Sequence, residues 1–273
     1  MRYRNSGLWK KPAASFLVLA AIAAIAPAGA EETDDPLYQS VVLVTGYDMR
    51  SRPGGFARAL RNVLVNLAGD PKLENDPRVA EVGKYVDLIV THFDYVDQMA
   101  GIKKHDDQGS YDRPYYLTVR FDPIAIDQML ADLGEKPWRG ERPEIVPIIA
   151  MHGRTGPLMV SADDPAADDE RQSFATIATD YSLKARIPTK AQLEDWGASV
   201  DHLPDKPVTD APNEAVVAGM LTFEDGVGWN GGWSLHWHGT DYNWKVSGVN
   251  YDEAFRRAVR GVLRIASGHD SPE

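Results

Sequence analysis

The chain has 273 residues, with 29 lysine and arginine residues against 40 aspartate and glutamate residues, and it contains no cysteine. The absence of cysteine excludes disulfide bonds, cysteine nucleophiles and a lipid anchor attached through cysteine. The formal net charge of −11 opposes binding to a phosphate backbone, so we expect no nucleic-acid partner. Stability must therefore come from the burial of apolar surface without covalent cross-links.

The amino terminus has the pattern of a secretory signal peptide. Before Pro12 it carries four basic residues and no acidic one, namely Arg2, Arg4, Lys10 and Lys11. An apolar stretch follows over 12–27, and the small-x-small sequence 28–30 ends it. This order predicts a signal peptide over residues 1–30, with cleavage after Ala30 and a periplasmic or secreted protein. The alternative is that the segment stays attached as an amino-terminal membrane anchor.

Removal of the predicted signal peptide makes the remaining chain more acidic. Subtracting the four basic residues of the leader from 29 leaves 25 against 40 acidic ones, a formal charge of about −15. No later apolar run approaches the roughly 18 residues of a membrane-spanning helix. We therefore expect no integral membrane segment after the leader.

The next part of the chain predicts an α+β unit over residues 31–135. Short β-branched runs predict strands, and apolar residues at helical spacing predict helices. Glycine residues and Asp-Pro pairs mark helix ends and starts. The predicted elements are a strand over 40–46, a helix over 56–67, a helix from 77, a strand from 89, a polar turn over 103–112, a strand over 115–121 and a helix over 123–133. The resulting order is β-α-α-β-β-α.

A linker over 136–142, with Trp138 folded back, is predicted to lead to a second α+β unit over 143–268 and a tail over 269–273. Its predicted elements are strands over 145–151 and 158–161, an acidic loop over 163–170, a helix over 174–181, an extended piece over 185–188, a helical turn over 192–196, a loop over 200–213, a strand over 215–223, a hairpin of 233–239 and 244–248 that turns across 240–243, and a final helix after Asn250. Four arginines are expected on the outer side of that helix: Arg256, Arg257, Arg260 and Arg264.

Both units combine a sheet with helices on one face, which predicts the α+β class with largely antiparallel sheets. One strand carries a restriction of its own. Pro147 lies within 145–151 and has no N–H to donate. We therefore expect a neighbouring strand to be missing or bulged at that point.

Sequence motifs for nucleophilic catalysis and for phosphate loops are absent. The chain has no Gly-x-Ser-x-Gly, no Walker sequence and no Gly-x-Gly-x-x-Gly. The pair Gly54-Gly55 precedes a predicted helix, where an anion can bind to free backbone N–H groups. A loop that needs flexible backbone explains the same pair and is the favoured interpretation. We therefore assign no catalytic residue and no cofactor.

Two histidines are the candidates for metal ligation. His236 and His238 stand two residues apart in a predicted strand, which places both imidazoles on one face. Zinc needs a third ligand, and the sequence leaves His202, His152 and Asp241 open for that role. The favoured alternative is that the tryptophans of this strand face the core while the histidines face water, so no metal is assigned.

Several landmarks together resemble the domain of unknown function 2066 family of exported bacterial proteins. They are the helix 57–69, the segment 117–122 followed by Met129, Leu130 and Gly134, then Trp138 with Arg142-Pro143, Ile187-Pro188, the segment 193–196, and finally Trp237 and Trp244. The resemblance covers most of the chain after the leader. It implies no activity and supplies no catalytic residue.

The leading hypothesis is a soluble envelope protein that binds another protein or an envelope component without catalysis. It rests on a complete set of packing motifs with no recognisable chemical site. Two alternatives stay open: a hydrolase with a site between the two units, and a metal-binding protein that uses His236 and His238. The sequence decides neither whether the protein is an enzyme, nor its partner, nor its oligomeric state.

Overall fold

Two β-sheets with helices packed on them make up the fold. The computed structural model describes residues 35–101, 113–204 and 211–273. Within it, Asp35–Glu273 forms one compact unit. The predicted signal peptide and the predicted polar turn over 103–112 lie outside the described residues. None of the helices in the described ranges combines the length and the apolar character of a membrane-crossing segment.

The first sheet has three antiparallel strands. They are β1 (Gln39–Thr45), β2 (Val90–Asp97) and β3 (Pro114–Phe121). The spatial order is β1-β3-β2, so β3 lies in the middle. The helix α1 (Arg52–Ala68) covers one face, and a Cβ atom at Gly55 would come within 2.6 Å of the Leu117 side chain. The first sheet and α1 therefore pack closely on that face.

Three helices of this half lie where the sequence predicts helices, but α1 begins at Arg52, before the predicted start at residue 56. They are α1, α2 (Pro77–Val82) and α3 (Pro123–Leu133). Asp76 and Asp122 are the N-caps of α2 and α3, and each carboxylate accepts a hydrogen bond from a backbone N–H of the first turn. Gly69 and Gly134 end α1 and α3 with φ of 68° and 88°, a conformation that glycine adopts without a Cβ clash.

The second sheet has six strands. They are β4 (Glu144–Gly153), β5 (Gly156–Met159), β6 (Lys184–Ala185), β7 (Glu214–Glu224), β8 (Gly228–Trp237) and β9 (Thr240–Val249). The order is β5-β4-β7-β8-β9, and β6 pairs with the start of β4. β4 runs parallel to β7 and β6, while the other pairs are antiparallel. The α+β class with largely antiparallel sheets is thus confirmed.

Pro147 falls at a gap in the pairing of β4. On the side away from β7, β6 pairs with Glu144 and Ile145, and β5 pairs from Ala150 onward. The part of β4 between them, which contains Pro147, has no paired strand on that side among the described residues. The missing N–H of proline therefore costs no ladder hydrogen bond, as expected from the sequence.

Helices cover both faces of the second sheet, so the expectation of helices on one face is wrong for this sheet. They are α4 (Asp168–Asp180), α5 (Lys190–Asp195) and α6 (Tyr251–Ala266). On one face, Phe255 of α6 stands edge-on to Phe174 of α4, with 5.6 Å between ring centroids, and to Trp233 of β8. On the other face, Leu193 of α5 packs in a smaller cluster with Ile148 and Val216. The sheet is therefore buried from two sides at its centre.

One large hydrophobic cluster connects the two sheets through α1, α4 and α6. The segment between the sheets also folds back on α1, since the backbone N–H of Trp138 donates to the Leu67 carbonyl at 2.6 Å. The Arg142 guanidinium lies 4.4 Å from the centroid of the Trp138 ring. Each predicted unit contains one of the sheets, but the boundaries at residues 135 and 143 stay a prediction.

The turn between β8 and β9 differs from the expectation. Trp237 pairs with Thr240, so the connection consists of His238 and Gly239 rather than residues 240–243. Both residues have positive φ, 48° and 81°. A two-residue turn of this kind matches the right-handed twist of a hairpin. Glycine adopts positive φ freely, and histidine is among the residues enriched there.

The predicted acidic loop over 163–170 is too long at its end. Its last three residues, Asp168, Asp169 and Glu170, form the first turn of α4. Acidic side chains are favourable there because the amino end of a helix carries partial positive charge. The charge of this stretch therefore supports a helix start.

Candidate functional site

A cleft of about 470 Å³ lies between α1, α6 and β1. Val41, Val42 and Leu43 of β1 form its apolar wall. Residues of the 3-10 turn Pro71–Asn75 and of the end of α4 also line it. The cleft therefore joins parts of the chain that are far apart in sequence.

Arginines from two helices line this cleft. In α1, Arg58 and Arg61 are three residues apart, beside the apolar stripe that packs on the first sheet. In α6, Arg256 and Arg260 are four residues apart. Residues at these spacings lie on the same side of a helix. Each helix thus directs a pair of arginines into the cleft while burying its apolar face.

The cleft is positively charged in an acidic protein. Its lining has four arginines against two carboxylates, those of Glu74 and Asp180, which leaves an excess of two positive charges. The whole chain has a formal net charge of −11. A concave surface with one sign of charge concentrates the field there and attracts ligands of the opposite sign.

Arg260 is bound by other side chains of the protein. Its Nε donates to the Tyr181 hydroxyl at 2.7 Å, and its Nη2 contacts the Glu74 carboxylate. The Tyr181 hydroxyl in turn donates to Glu74 at 2.6 Å. Burial, followed by the hydrogen bond to Glu74, raises the pKa of Tyr181 to about 12. This trio links α6 to the Pro71–Asn75 turn.

Arg264 is buried, which contradicts its expected place on the outer side of α6. Its side chain is 8% exposed and its Nη1 contacts the Asp70 carboxylate, which is 9% exposed. Asp70 also accepts a hydrogen bond from the Lys72 N–H and so caps the 3-10 turn. The prediction failed because the residue that faces Arg264 lies 194 positions away in the chain.

Arg61 and Arg256 keep most of their hydrogen-bonding capacity. Among the described residues, Arg61 has no hydrogen-bond or ion-pair partner, although its side chain is half-buried. Arg256 has one ion pair, to Glu253 on its own helix, with 3.5 Å between Nε and Oε2. A guanidinium carries five N–H donors, so both residues have donors left for a ligand.

Arg58, which lines the cleft, connects α1 to β1. Its Nη2 donates to the Leu43 carbonyl of β1 at 2.7 Å. The opposite wall is fixed by Asn66, whose Nδ2 donates to the Asp180 carbonyl and to the Ser182 hydroxyl, both at 3.0 Å. The desolvation caused by nearby protein raises the pKa of Asp180, and the charge of Arg256 partly offsets this effect. The Asp180 carboxylate therefore takes up a proton at a higher pH than a free aspartate does.

Residues 30–139 match a family model described as Domain of unknown function (DUF8605). The matched segment includes β1, α1 and the Pro71–Asn75 turn, whereas α6 lies beyond it. No curated protein and no solved structure matches the chain.

The resemblance to the domain of unknown function 2066 family is wrong, because the family model that matches is a different one. The landmarks behind that resemblance were a strand followed by a helix, a glycine after a helix, and isolated tryptophans. Such features follow from general packing and capping rules, so many unrelated α+β proteins share them.

The histidines that the sequence singled out lie apart from the arginine cleft. His236 is on β8, and its Nδ1 lies 2.6 Å from Oδ1 of Asp241 on β9. His238 is in the turn and not in the strand, so the reasoning that placed both imidazoles on one strand face fails. His152 instead bonds to the Val200 carbonyl through Nε2 at 2.8 Å. A metal role for His236 and His238 stays a prediction.

A different group of side chains converges at the end of α1. Ligand-type atoms of Asp70, Glu135 and His269 lie within 4.8 Å of one another, and neither His236 nor His238 belongs to this group. His269 Nε2 is 3.7 Å from a carboxylate oxygen of both acids. Arg264 already neutralises Asp70. The contacts of His269 with Asp70 and Glu135 link the carboxy-terminal residues to the rest of the fold.

Sequence reasoning missed the arginine cleft, although one signal was available. Arginines recur at helical spacing in α1 and α6, beside apolar stripes, in a chain with excess negative charge. The other anion candidate, the Gly54-Gly55 pair, was predicted to form a loop before the helix, but both residues lie inside α1, where Gly55 has a packing role. A Cβ atom at Gly55 would approach Val44 as well as Leu117, so glycine is needed there for close contact between helix and sheet.

Proposed function

We propose that this protein is a binding module of the bacterial cell envelope, and that it recognises an anionic group of a protein or envelope component in the arginine cleft. The observation that carries the proposal is the pair Arg61 and Arg256, which line the cleft with donors left unused by the described residues. The envelope location rests on the leader sequence over residues 1–30.

The chemistry of the cleft favours a carboxylate or a phosphate. A guanidinium is planar and always charged, and it donates two parallel hydrogen bonds to either group. The apolar wall of β1 lowers the local polarity on one side, which strengthens charge-assisted hydrogen bonds. The volume of about 470 Å³ suits a small group or a few side chains rather than a whole domain.

The lining of the cleft supports binding rather than hydrolysis. Among its described residues there is no serine, threonine, cysteine or histidine. The one hydroxyl is that of Tyr181, and its pKa of about 12 keeps it protonated at neutral pH. It therefore serves as a structural donor to Glu74, not as a general base.

Titration calorimetry with inorganic pyrophosphate and with succinate tests the proposed binding. We expect saturable binding of one equivalent, weakened by salt because it depends on charge. The double variant Arg61→Gln/Arg256→Gln removes two charge-assisted hydrogen-bonding groups, so affinity should fall at least about tenfold. Arg257→Gln is the matched control, because Arg257 is on the same helix but lines a different pocket.

Two results would contradict the proposal. One is that neither anion binds at low ionic strength. The other is that the double variant and the Arg257→Gln control bind the anions equally well. The envelope location has a separate test, namely cell fractionation with mass spectrometry of the mature amino terminus. Recovery of the chain only in the cytoplasm, with residues 1–30 intact, would refute that part.

A further inference from the structure

One edge of β1 faces the cleft and has no paired strand among the described residues. The Gly46 N–H donates to the Arg113 carbonyl at 2.8 Å, in line with the β1–β3 pairing. In an antiparallel ladder, alternate residues direct their backbone groups to the same side. Val42 and Val44 therefore bond to β3, whereas Val41 and Leu43 direct their N–H and C=O groups away from it.

Two observations support this assignment. Arg58 donates to the Leu43 carbonyl, which must therefore point away from β3 and toward α1. Pro114, which has no N–H, stands opposite Thr45 at a position where the ladder needs no donor. Within the described chain β1 pairs with β3 alone, so the Val41 N–H, Val41 C=O and Leu43 N–H have no strand partner.

This edge also lacks the usual protection against pairing. Natural edge strands carry charged residues, proline or bulges that prevent another strand from adding to them. β2, the other edge of the same sheet, carries Asp94 and Asp97. β1 carries no charged residue, and its Val41 and Leu43 side chains are 55% and 52% exposed. These exposed apolar side chains stand beside backbone groups that have no strand partner among the described residues.

A strand added to β1 would lie about 4.8 Å beyond it, over the cleft. One alternate set of its side chains would point to the face of Val42 and Val44, where α1 and α6 place their arginines. The other set would lie beside Val41 and Leu43 on the apolar outer face. A strand in which acidic and apolar residues alternate would place its acidic side chains near the arginines and its apolar side chains beside Val41 and Leu43.

We infer that the cleft binds an extended peptide segment with alternating acidic and apolar residues, which adds to β1 as a further strand. The inference rests on the proposed function and specifies its ligand. Backbone hydrogen bonds to β1 supply sequence-independent affinity, while the arginines select acidic side chains. Because the rest of the chain is acidic, such a peptide is repelled elsewhere on the surface.

A synthetic peptide of about six residues, alternating valine and glutamate with blocked ends, is the probe. We expect saturable binding by calorimetry. We also expect amide hydrogen exchange at Val41 and Leu43 to slow at least about tenfold in the complex, because both N–H groups become hydrogen-bonded. The same peptide, methylated on the alternate backbone nitrogens that would face β1, cannot donate these hydrogen bonds and should bind at least about tenfold more weakly.

Two substitutions at Val41 of β1 form a matched pair of variants. Val41→Pro removes an N–H that faces away from β3, so it should weaken peptide binding at least about tenfold without breaking the β1–β3 ladder. Val41→Thr keeps both the N–H and the branched side chain, and should stay within about twofold of the unchanged protein.

The outcomes separate this inference from the proposed function. Pyrophosphate binding without peptide binding, or equal binding of the methylated peptide, overturns strand addition and leaves the anion site in place. Peptide binding without slower exchange at Val41 and Leu43 also overturns it. Failure of both ligands overturns the two proposals together. The exchange measurement uses the unchanged protein, so it decides the question even if Val41→Pro does not fold.

Discussion

The arginines in and near the cleft fall into two regions that differ in their hydrogen-bond and ion-pair partners. In the first, the paired region, Arg260 and Arg264 contact the carboxylates of Glu74 and Asp70, and Arg264 is buried. In the second, the open region, Arg61 has no partner among the described residues and Arg256 has one weak pair on its own helix. The same residue type thus stabilises the fold in one region and is available to a ligand in the other.

The difference shows that the partner, and not the type of residue, separates a structural arginine from a binding one. A buried guanidinium without a carboxylate would be strongly destabilising, so Arg264 needs the carboxylate of Asp70. A half-exposed guanidinium is solvated and tolerates an unused donor. Substitutions in the two regions should therefore affect different measurements.

The largest effect is expected at Arg264, in the paired region. Arg264→Met keeps most of the aliphatic stem but leaves the Asp70 carboxylate buried without its cation. The free energy of unfolding should fall by about 3 kcal/mol or more, measured by urea denaturation. The matched control Arg61→Met should change it by less than about 0.5 kcal/mol. Similar losses for the two variants would remove the distinction between the paired and the open region.

A smaller effect is expected at Tyr181. Tyr181→Phe removes the hydroxyl that bridges Glu74 and Arg260 but leaves those two paired, so stability should fall by about 1 kcal/mol. The affinity for pyrophosphate should stay the same, since Arg61 and Arg256 are untouched. A loss of affinity as large as that of the arginine double variant would show that the two regions act as one.

The decrease in the free energy of unfolding at alkaline pH tests the same hydroxyl. The pKa of Tyr181 rises from 10.0 to about 12 in the folded protein, so below pH 10 the hydroxyl is protonated in both states and its contribution is complete. That contribution is lost as pH rises from 10 toward 12. Tyr181→Phe should therefore make this decline shallower. Tyr38, whose pKa is also about 12, leaves a residual slope.

The smallest effect is expected at Asp180. Asp180→Asn removes a negative charge from the cleft, so the affinity for pyrophosphate should rise about threefold at neutral pH. Because the pKa of Asp180 is raised, the unchanged protein should approach the variant as pH falls, once the carboxyl is protonated. Calorimetry between neutral and mildly acidic pH measures both. A constant ratio across this range would exclude Asp180 as the group that titrates.

Local sequence patterns predicted most of the elements correctly. The apolar spacing of α1 and α6 and the caps Asp76 and Asp122 depend on neighbouring residues, so the sequence displays them directly. The turn at His238–Gly239 was misplaced, because the left-handed conformation of His238 is set by the pairing of β8 with β9. The pattern of residues alone contains no such information.

The cleft could not be predicted because it depends on contacts between distant parts of the chain. The Glu74–Arg260 and Asp70–Arg264 contacts join residues 186 and 194 positions apart. The spacing within α6 shows that Arg256, Arg260 and Arg264 share one side, but it does not show what faces them. For that reason the sequence placed all of them toward solvent.

The most direct measurement of the central claim observes the arginine side chains themselves. In a ¹⁵N-labelled sample, NMR signals of the arginine Nε–H groups are followed during titration with inorganic pyrophosphate. We expect saturable shifts for Arg61 and Arg256, which line the open cleft, and none for Arg264, which is held by Asp70. Unchanged signals for Arg61 and Arg256 at saturating pyrophosphate would contradict the claim that they form the anion site.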